Sequence, residues 1–346
     1  MSEGLGSIEA ITRSAADPAL ADAAHGWKSA YVHIPFCRRR CPYCDFAIID
    51  ESETNGSDHG TYVDAVIAEI GMDDGIGPLD AVNVGGGTPS TIDPSQLARI
   101  LDALADRFGF VDGVELSLEA NPEDWGDRLG ADLVGAGFNR ISLGAQSMDI
   151  EILGALGRLH DPGQVRRAVD GARDAEFRSV GVDVMIGHPS ESDASWDATV
   201  AAVLDLDIDH LSTYTLTVEP GTVLSREVLA GAPAPDEDVQ ADRYEALAAA
   251  ASGKGFERYE VSNHARPGQE SRHNLIYWRS GDWVGVGPGA HGRLTLANGR
   301  FSSETHRAPG AWIDAVESSG SGESVRAALS VQDQFEESTM MGLRLV

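Results

Sequence analysis

Three cysteines within one eight-residue window are the strongest candidates for chemistry in this chain. Cys37, Cys41 and Cys44 form a C-x3-C-x2-C pattern, and the sequence contains no other cysteine. An odd, clustered set without distant partners does not fit a disulfide framework, so the pattern indicates a metal site. Three thiolates on so short a loop can each bind one iron of a cuboidal [4Fe-4S] cluster, which leaves the fourth iron open to another ligand.

Two other interpretations of the cysteine window stay open at this point. A structural zinc site needs a fourth ligand, for which His33 is a candidate, but zinc sites more often carry two C-x2-C or C-x2-H pairs. An inert iron-sulfur site is the second alternative. The neighbouring Arg38, Arg39 and Arg40 place positive charge beside the cysteines. We expect them to favour deprotonation of the thiols, because positive charge stabilises thiolates.

Glycines and polar side chains occur where β-rich segments end, and these positions are candidates for binding a ligand. Residues 85–87 are all glycine and follow the second segment, where missing side chains let the backbone approach a ligand. Glu119, Gln146 and Asp183 end the next three segments, and each can accept hydrogen bonds from ligand hydroxyls. Arg158 can pair with a carboxylate. Taken singly, the glycines fit a turn and each polar residue fits a strand-end hydrogen bonder.

The elements that must position these residues alternate between short strands and amphipathic helices. Apolar residues at helical spacing, such as Leu97, Ile100 and Leu104, mark the helices. Six alternations imply an α/β fold with a parallel sheet and outer helices, and we expect it to curl into a partial six-stranded (β/α)6 barrel. The predicted strands are 30–34, 81–84, 114–118, 140–143, 179–186 and 210–216, and the predicted helices between them are 62–70, 94–108, 163–176 and 194–206.

Composition narrows the class of protein. The chain has 346 residues, 42% of them apolar, which suffices for one barrel-sized domain with an appendage or for two domains. A formal net charge of −29 repels nucleic-acid phosphates and anionic membrane surfaces. No apolar run approaches the roughly 18 residues that span a bilayer, and the first residues lack the pattern of a signal peptide. We therefore expect a cytoplasmic protein without a transmembrane segment that does not bind nucleic acid.

Three regions are expected along the chain. Residues 1–27 are small and polar without a period, which predicts a flexible N-terminal arm. Residues 28–222 hold the predicted barrel, and a run of Pro, Gly and acidic residues at 220–238 marks its end. Residues 223–346 predict a smaller α+β C-terminal region with helices at 239–251, 311–318 and 331–345. Because the chain stops at the last helix, we expect this region to be truncated.

The cysteine window, with the aromatic Tyr43 before its last cysteine, resembles the signature of the radical S-adenosylmethionine (SAM) superfamily. In that superfamily the open iron chelates the amino and carboxylate groups of SAM. Other segments over roughly residues 29–345 resemble its coproporphyrinogen III oxidase-like branch. They are Tyr31-Val-His-Ile-Pro-Phe-Cys37, Gly85-Gly-Gly-Thr-Pro-Ser90, Glu119-Ala-Asn-Pro122, Asn139-Arg-Ile-Ser-Leu-Gly-Ala-Gln146, Leu156-Gly-Arg158 and Glu219-Pro-Gly-Thr222.

The resemblance implies a radical SAM barrel, a [4Fe-4S] cluster on the three cysteines, and SAM as a second cofactor. It also implies which residues contact SAM. These are Tyr31, Tyr43, Gly86, Gly87, Thr88, Glu119, Gln146, Arg158 and Asp183.

Two features separate members of this branch. The oxygen-independent coproporphyrinogen III oxidases carry a further cysteine two places after the third ligand, where this chain has Phe46. The chain instead resembles the HemW-type haem chaperones, because it contains their H-N-x-x-Y element as His273, Asn274 and Tyr277. The resemblance implies that this element binds haem, with His273 as a candidate ligand of the haem iron and His264 and His291 as alternative or second ligands. We expect Arg272 and Arg279 to meet the propionates. A histidine beside aromatic residues also fits a packing role.

The resemblance therefore implies a haem chaperone that binds haem and transfers it to acceptor haemoproteins such as respiratory enzymes. The alternative is an oxygen-independent coproporphyrinogen III oxidase or another HemN-like radical SAM enzyme of porphyrin biosynthesis. Whether SAM is cleaved stays open, and with it whether the protein is an enzyme. No residue is assigned a catalytic role. The family also suggests homodimerisation and leaves room for peripheral membrane association.

Overall fold

The computed structural model describes residues 26–53, 58–72 and 76–346. The predicted N-terminal arm over 1–27 therefore lies outside the described residues, apart from its last two. Within the described part of the chain, no helix is both long enough and apolar enough to cross a membrane.

From β4 to β8 the described strands are separated by helices, and a more mixed order follows residue 215. The strands are β1 (Lys28–Ile34), β2 (Phe36–Cys37), β3 (Ile49–Asp50), β4 (Leu79–Gly86), β5 (Phe110–Ala120), β6 (Arg140–Gln146), β7 (Ser179–Ile186), β8 (His210–Thr215), β9 (Glu257–Glu260), β10 (Asn263–Ala265), β11 (Asp282–Val286), β12 (His291–Leu296), β13 (Gly299–Thr305) and β14 (Glu323–Ala328).

The helices flank the sheet. They are α1 (His59–Met72), α2 (Pro94–Phe108), α3 (Leu129–Gly135), α4 (Ile150–Ala155), α5 (Pro162–Asp174), α6 (Asp193–Leu204), α7 (Val223–Leu229), α8 (Glu237–Gly253), α9 (Arg272–Trp278), α10 (Pro309–Ser319) and α11 (Val331–Gly342).

Helix α2 shows how the sequence sets these boundaries. Asp93 caps its first turn, because the carboxylate accepts a hydrogen bond from the Ser95 amide, and Pro94 occupies the first helical position, where no amide hydrogen is needed. Leu97, Ile100 and the other apolar residues on the same face are buried against the sheet. The spacing of apolar residues therefore predicts both the helix and the face that it buries.

Twelve of the described strands form one sheet in the order β14-β13-β12-β11-β1-β4-β5-β6-β7-β8-β10-β9. The run from β1 through β4 to β8 is parallel, as the alternation of strands and helices predicts. One cavity is lined by residues from the ends of β4, β5, β6, β7 and β8, so the sheet must curl. These features confirm the expected α/β fold with a partial barrel.

The C-terminal region extends this sheet at both edges. Strand β11 pairs parallel with β1, and β10 pairs antiparallel with β8. The expected boundary at residues 222 and 223 is therefore a change in composition along the chain, and one sheet continues on both sides of it.

Candidate functional site

A cavity of about 460 Å³ opens at the carboxyl ends of the parallel strands, the edge where barrel proteins place their functional groups. We call it the cluster cavity, because all three cysteines line it. It also contains most of the residues predicted to contact SAM. These are Tyr43, Gly86, Gly87, Thr88, Glu119, Gln146, Arg158 and Asp183.

Tyr31 is the one predicted SAM contact that does not line the cluster cavity. Its hydroxyl lies 3.0 Å from Nδ1 of His33, and its ring stacks on that of His273 with centroids 6.2 Å apart. The structure therefore places Tyr31 behind the cavity wall.

Two of the cysteine thiols are joined by a chain of hydrogen bonds through the cavity wall. The Thr88 hydroxyl donates to Sγ of Cys37 at 3.5 Å and accepts from the Asn121 amide at 3.0 Å. Arg158 donates to the side-chain oxygen of Asn121 and, at 3.6 Å, to Sγ of Cys41. These donors orient the sulfur atoms and stabilise negative charge on them. Asn121 is not among the residues predicted from the sequence, although it belongs to one of the segments that carry the family resemblance.

The zinc alternative finds no support around His33. Nδ1 of His33 lies at hydrogen-bond distance from Tyr31, and Nε2 lies 2.9 Å from the carbonyl oxygen of Ala47, so both ring nitrogens have protein partners. Among the described residues, no group of three or more His, Cys, Asp or Glu side chains is arranged to hold a single metal ion. A cuboidal cluster is larger than one ion and needs its thiolates spread apart, which fits three cysteines around a cavity.

The structure supports the expected effect of the arginine run on the thiols for one of the three arginines. Burial raises the pKa of the Cys44 thiol, and the charge of Arg40 opposes this rise. Burial raises the pKa of the Cys37 thiol to about 12, and the cation that opposes this rise is Arg158. Arg38 pairs with Asp124 at 2.5 Å, and Arg39 donates to the carbonyl oxygen of Gly157 at 3.0 Å. The correction for these two arginines has a physical reason, since residues adjacent in sequence point into different surroundings on a tight loop.

The glycines after β4 leave room that side chains would fill. A Cβ atom at Gly87 would lie 2.7 Å from the carbonyl oxygen of Phe36 and 3.0 Å from Sγ of Cys37. Gly86 adopts a φ of +107°, a conformation that L side chains rarely adopt. The backbone here therefore passes close to the cysteine loop, as the sequence predicts for a ligand-binding turn.

Two buried carboxylates face each other across the cavity. Burial raises the pKa of Glu119 to about 7, with a further contribution from the charge of Asp183. The pKa of Asp183 is also raised by burial, against the opposing effect of hydrogen bonds from Ser212 and Ser142. Glu119 on β5 and Asp183 on β7, with β6 between them in the sheet, can each accept hydrogen bonds from hydroxyls of a ligand.

Gln146 and Arg158 carry polar atoms without a partner. Oε1 of Gln146 and Nε of Arg158 are buried and make no hydrogen bond within the described part of the protein. Gln146 also has a φ of +62°, which is uncommon outside glycine and concentrates at functional sites. Buried polar atoms are normally paired, so these two point to a polar ligand in the cavity.

Comparisons with known proteins identify the family and the fold. Residues 31–203 match the model of the radical SAM superfamily. The chain is 43% identical over 270 residues to Heme chaperone HemW of Mycobacterium tuberculosis, covering 76% of this chain and 69% of the relative. It is 36% identical over 282 residues to HemW of Escherichia coli, covering 80% and 73%. The solved structure of coproporphyrinogen III oxidase (HemN) from Escherichia coli superimposes with a TM-score of 0.78 at 22% identity, covering 94% of this chain and 78% of the other.

This chain belongs to the radical SAM superfamily, in the HemN-like branch close to HemW. Membership implies SAM and a [4Fe-4S] cluster as cofactors. The residues present fit both groups, since three cysteines line one cavity. Gln146 and Arg158 also line it, and each carries a buried polar atom without a partner among the described residues.

The H-N-x-x-Y element of this HemW-like chain lies on helix α9, and none of its three residues lines the cluster cavity. Glu115, in the middle of β5, accepts hydrogen bonds from the backbone amides of Arg272 and His273. Nδ1 of His273 lies 3.1 Å from the hydroxyl of Ser29, at the start of β1. The helix therefore closes the amino end of the barrel, opposite the cysteines.

The haem-ligand candidates are placed apart from one another. His273 is only 4% exposed, and burial lowers its pKa to about 3. The amide of Asn274 donates to the hydroxyl of Tyr259, and the ring of Tyr277 contacts that of His273 edge to face. His264 is buried in β10, and His291 is exposed at the start of β12.

Proposed function

We propose that the protein is a haem chaperone, which binds haem and passes it to acceptor haemoproteins. One observation carries the proposal: the cluster cavity assembles the cysteines with nearly every expected SAM residue, in a chain that resembles HemW along most of its length. Respiratory enzymes as acceptors, a homodimer, peripheral membrane association and a cytoplasmic location are further parts of this proposal.

The cluster cavity holds the proposed cofactors through distinct sets of residues. Cys37, Cys41 and Cys44 would hold three irons of the cluster and would leave the fourth iron without a protein ligand, free for SAM. Gly86 and Gly87 bring the backbone close to the methionine part of SAM, while Glu119 and Asp183 accept hydrogen bonds from its ribose. The neighbouring Arg158 meets the SAM carboxylate, and Gln146, Thr88 and Tyr43 complete the contacts. When bound, the cluster and SAM supply one-electron chemistry, which the cavity orients and keeps from solvent.

Phe46 favours the chaperone over the oxidase. It occupies the position at which oxidases carry a further cysteine, and it lines the mouth of the cluster cavity with 57% of its surface exposed. An exposed phenylalanine cannot ligate a metal or take part in redox chemistry, but it offers a flat apolar surface.

His273 as the haem ligand requires movement of helix α9. Its imidazole is neutral, which suits iron ligation, but it is buried and engaged with Ser29. Haem binding through His273 therefore predicts that the barrel end opens, exposing Tyr277 and Trp278 to the porphyrin.

Haem titration of the anaerobically reconstituted protein tests the proposal. We expect a Soret shift that His273→Ala abolishes and that the control His188→Ala, on a half-buried histidine outside both sites, leaves unchanged. Transfer is then measured by mixing the haem-loaded protein with an apo-haemoprotein. Absence of a Soret shift contradicts haem binding. Conversion of coproporphyrinogen III to protoporphyrinogen IX by the same preparation contradicts the chaperone and supports the oxidase alternative.

A further inference from the structure

A second cavity, of about 150 Å³, lies at the opposite end of the barrel from the cysteines. We call it the floor cavity. It sits at the start of β6 and β7, where Arg140 and Ser179 are direct neighbours in the sheet. The side chains of Arg140 and Ser179 point into the barrel. Side chains alternate along a strand, and Arg140 lies two positions before Ser142 while Ser179 lies four before Asp183. Ser142 and Asp183 are interior residues, because they hydrogen bond to each other inside the barrel. The segment 268–272 and Trp27 complete its wall.

The charges around the floor cavity favour an anion. Three arginines and two glutamates line it, which leaves one net positive charge in a protein of net charge −29. Glu115 is already engaged, since it accepts from the backbone amides of Arg272 and His273 and lies 3.5 Å from Arg140. Guanidinium groups bind carboxylates and phosphates, so a local excess of them in so acidic a protein favours binding of such an anion.

Ser179 supplies an independent sign of a ligand. Ser179 is one of the residues that line the floor cavity and is 3% exposed, yet its buried hydroxyl makes no hydrogen bond within the described residues. A buried hydroxyl without a partner is costly, and a ligand acceptor would remove that cost. Arg140, 6% exposed, stands beside it and already donates to the carbonyl oxygen of Gln269 at 3.0 Å.

We propose that the floor cavity binds a small oxyanion, a carboxylate or a phosphate. The Ser179 hydroxyl donates one hydrogen bond to it, and the guanidinium groups of Arg140, Arg178 and Arg272 neutralise its charge. The volume admits a group of this size and excludes a whole porphyrin. The proposal does not depend on haem binding, because it rests on the cavity, its charges and the unpartnered hydroxyl.

Calorimetric titration of the anaerobically reconstituted protein tests the site, using inorganic phosphate and propionate as probes at constant ionic strength. Chloride serves as the reference anion, because it cannot bridge several donors as an oxyanion does. We expect at least one oxyanion to bind with a single saturable isotherm. No saturable isotherm for either probe, beyond the response to chloride, overturns the proposal.

Two variants assign the binding to this cavity. Ser179→Ala removes a hydroxyl without a protein partner, so the fold is kept while oxyanion affinity falls roughly tenfold. Arg178→Gln, at the exposed rim, weakens binding several-fold and reduces its salt dependence. The matched controls Ser318→Ala and Arg166→Gln change the same groups on exposed helix surfaces and leave the isotherm unchanged. Wild-type affinity in both Ser179→Ala and Arg178→Gln overturns the assignment.

A competition experiment distinguishes two possible sources of the oxyanion, a haem propionate and a free small anion. If the natural ligand group is a haem propionate, haem displaces the bound probe and haem dimethyl ester, which lacks free carboxylates, does not. If it is a free small anion, neither macrocycle displaces the probe. Both results support the site and identify its ligand, and they leave the chaperone proposal to its own test by Soret titration.

Discussion

At the scale of single residues, Cys41 is the most direct test of the cluster assignment. Its thiol receives a hydrogen bond from Arg158 and belongs to the only three cysteines in the sequence. We predict that Cys41→Ala removes the iron-sulfur absorption and lowers bound iron after anaerobic reconstitution, because two thiolates no longer hold the cube. A full [4Fe-4S] signal in this variant contradicts the ligand assignment. Ser318→Ala, an equally small change at the surface, is the control.

The buried carboxyl group of Glu119 should make the free energy of unfolding depend on pH. Its folded-state pKa of about 7 lies above the ordinary value of 4.5, mainly because of burial. A raised carboxyl pKa contributes stability that is complete below about pH 4.5 and is lost as pH rises through about 7. We therefore predict that Glu119→Gln is more stable than the wild type by about 1–3 kcal/mol at pH 8, and equally stable at pH 4.5.

Urea denaturation without added SAM at the two pH values measures this difference. Glu151→Gln, an exposed carboxylate on α4, is the matched control and should follow the wild type at both. The same pH dependence in Glu119→Gln and in the wild type is the result that contradicts a raised pKa.

The role of a residue is predictable from sequence where a motif determines which residues surround it. It is less predictable where tertiary packing determines them. The cysteines, Glu119 and Asp183 meet in one cavity as their positions at strand ends predict. The prediction that Arg38 favours thiol deprotonation was wrong, because its side chain pairs with Asp124, a residue distant in sequence. Asn121 was missed because only the fold shows it between Thr88 and Arg158.

At the scale of elements, the turn after β4 is the most constrained connection. A Cβ at Gly87 would meet two backbone oxygens below 3 Å, and backbone cannot give way as a flexible side chain can. We predict that Gly87→Ala displaces the cysteine loop and lowers cluster content by at least half while the far-ultraviolet circular dichroism stays the same. Gly154→Ala, where a Cβ meets nothing within 4 Å, is the control. Normal cluster content in Gly87→Ala contradicts the close approach.

Elements with a strong period are predicted well, and elements made by tertiary contacts are not. Strand β7 and helix α2 have the predicted bounds, since their apolar patterns are long and regular. Helix α9 has only seven residues, too few for a clear period, and its first turn is held by Glu115 from β5. No local sequence pattern predicts such a contact between a helix and a distant strand.

At the scale of the whole molecule, the C-terminal region is fastened to the barrel near the cluster. Arg307 donates to the backbone carbonyl of Asp45, directly after the last cysteine. A Cβ at Gly289 would lie 3.2 Å from Ala47, so the turn after β11 packs against the same loop. The region beyond residue 222 thus supports the cysteine loop as well as extending the sheet, which the change in composition does not reveal.

Glu69 makes the central link between the two regions. Its buried carboxylate, on α1, accepts hydrogen bonds from the backbone amides of Gly287 at 2.9 Å and Gly322 at 2.7 Å, and from the indole of Trp312. Glutamine has the same shape, but its side-chain NH2 group would replace one accepting oxygen and would face one of these N–H groups, which would then have no acceptor. A buried donor left without an acceptor costs about 1–3 kcal/mol.

We therefore predict that Glu69→Gln lowers the free energy of unfolding by about 2 kcal/mol or more and keeps a single cooperative transition in urea. One transition is expected because β1 pairs with β11 and the sheet continues across the compositional boundary, so the regions lose their packing together. Glu317→Gln, exposed on α10, should match the wild type. Two resolved transitions in the wild type or in Glu69→Gln contradict this coupling, since they require the C-terminal region to unfold while the barrel stays intact.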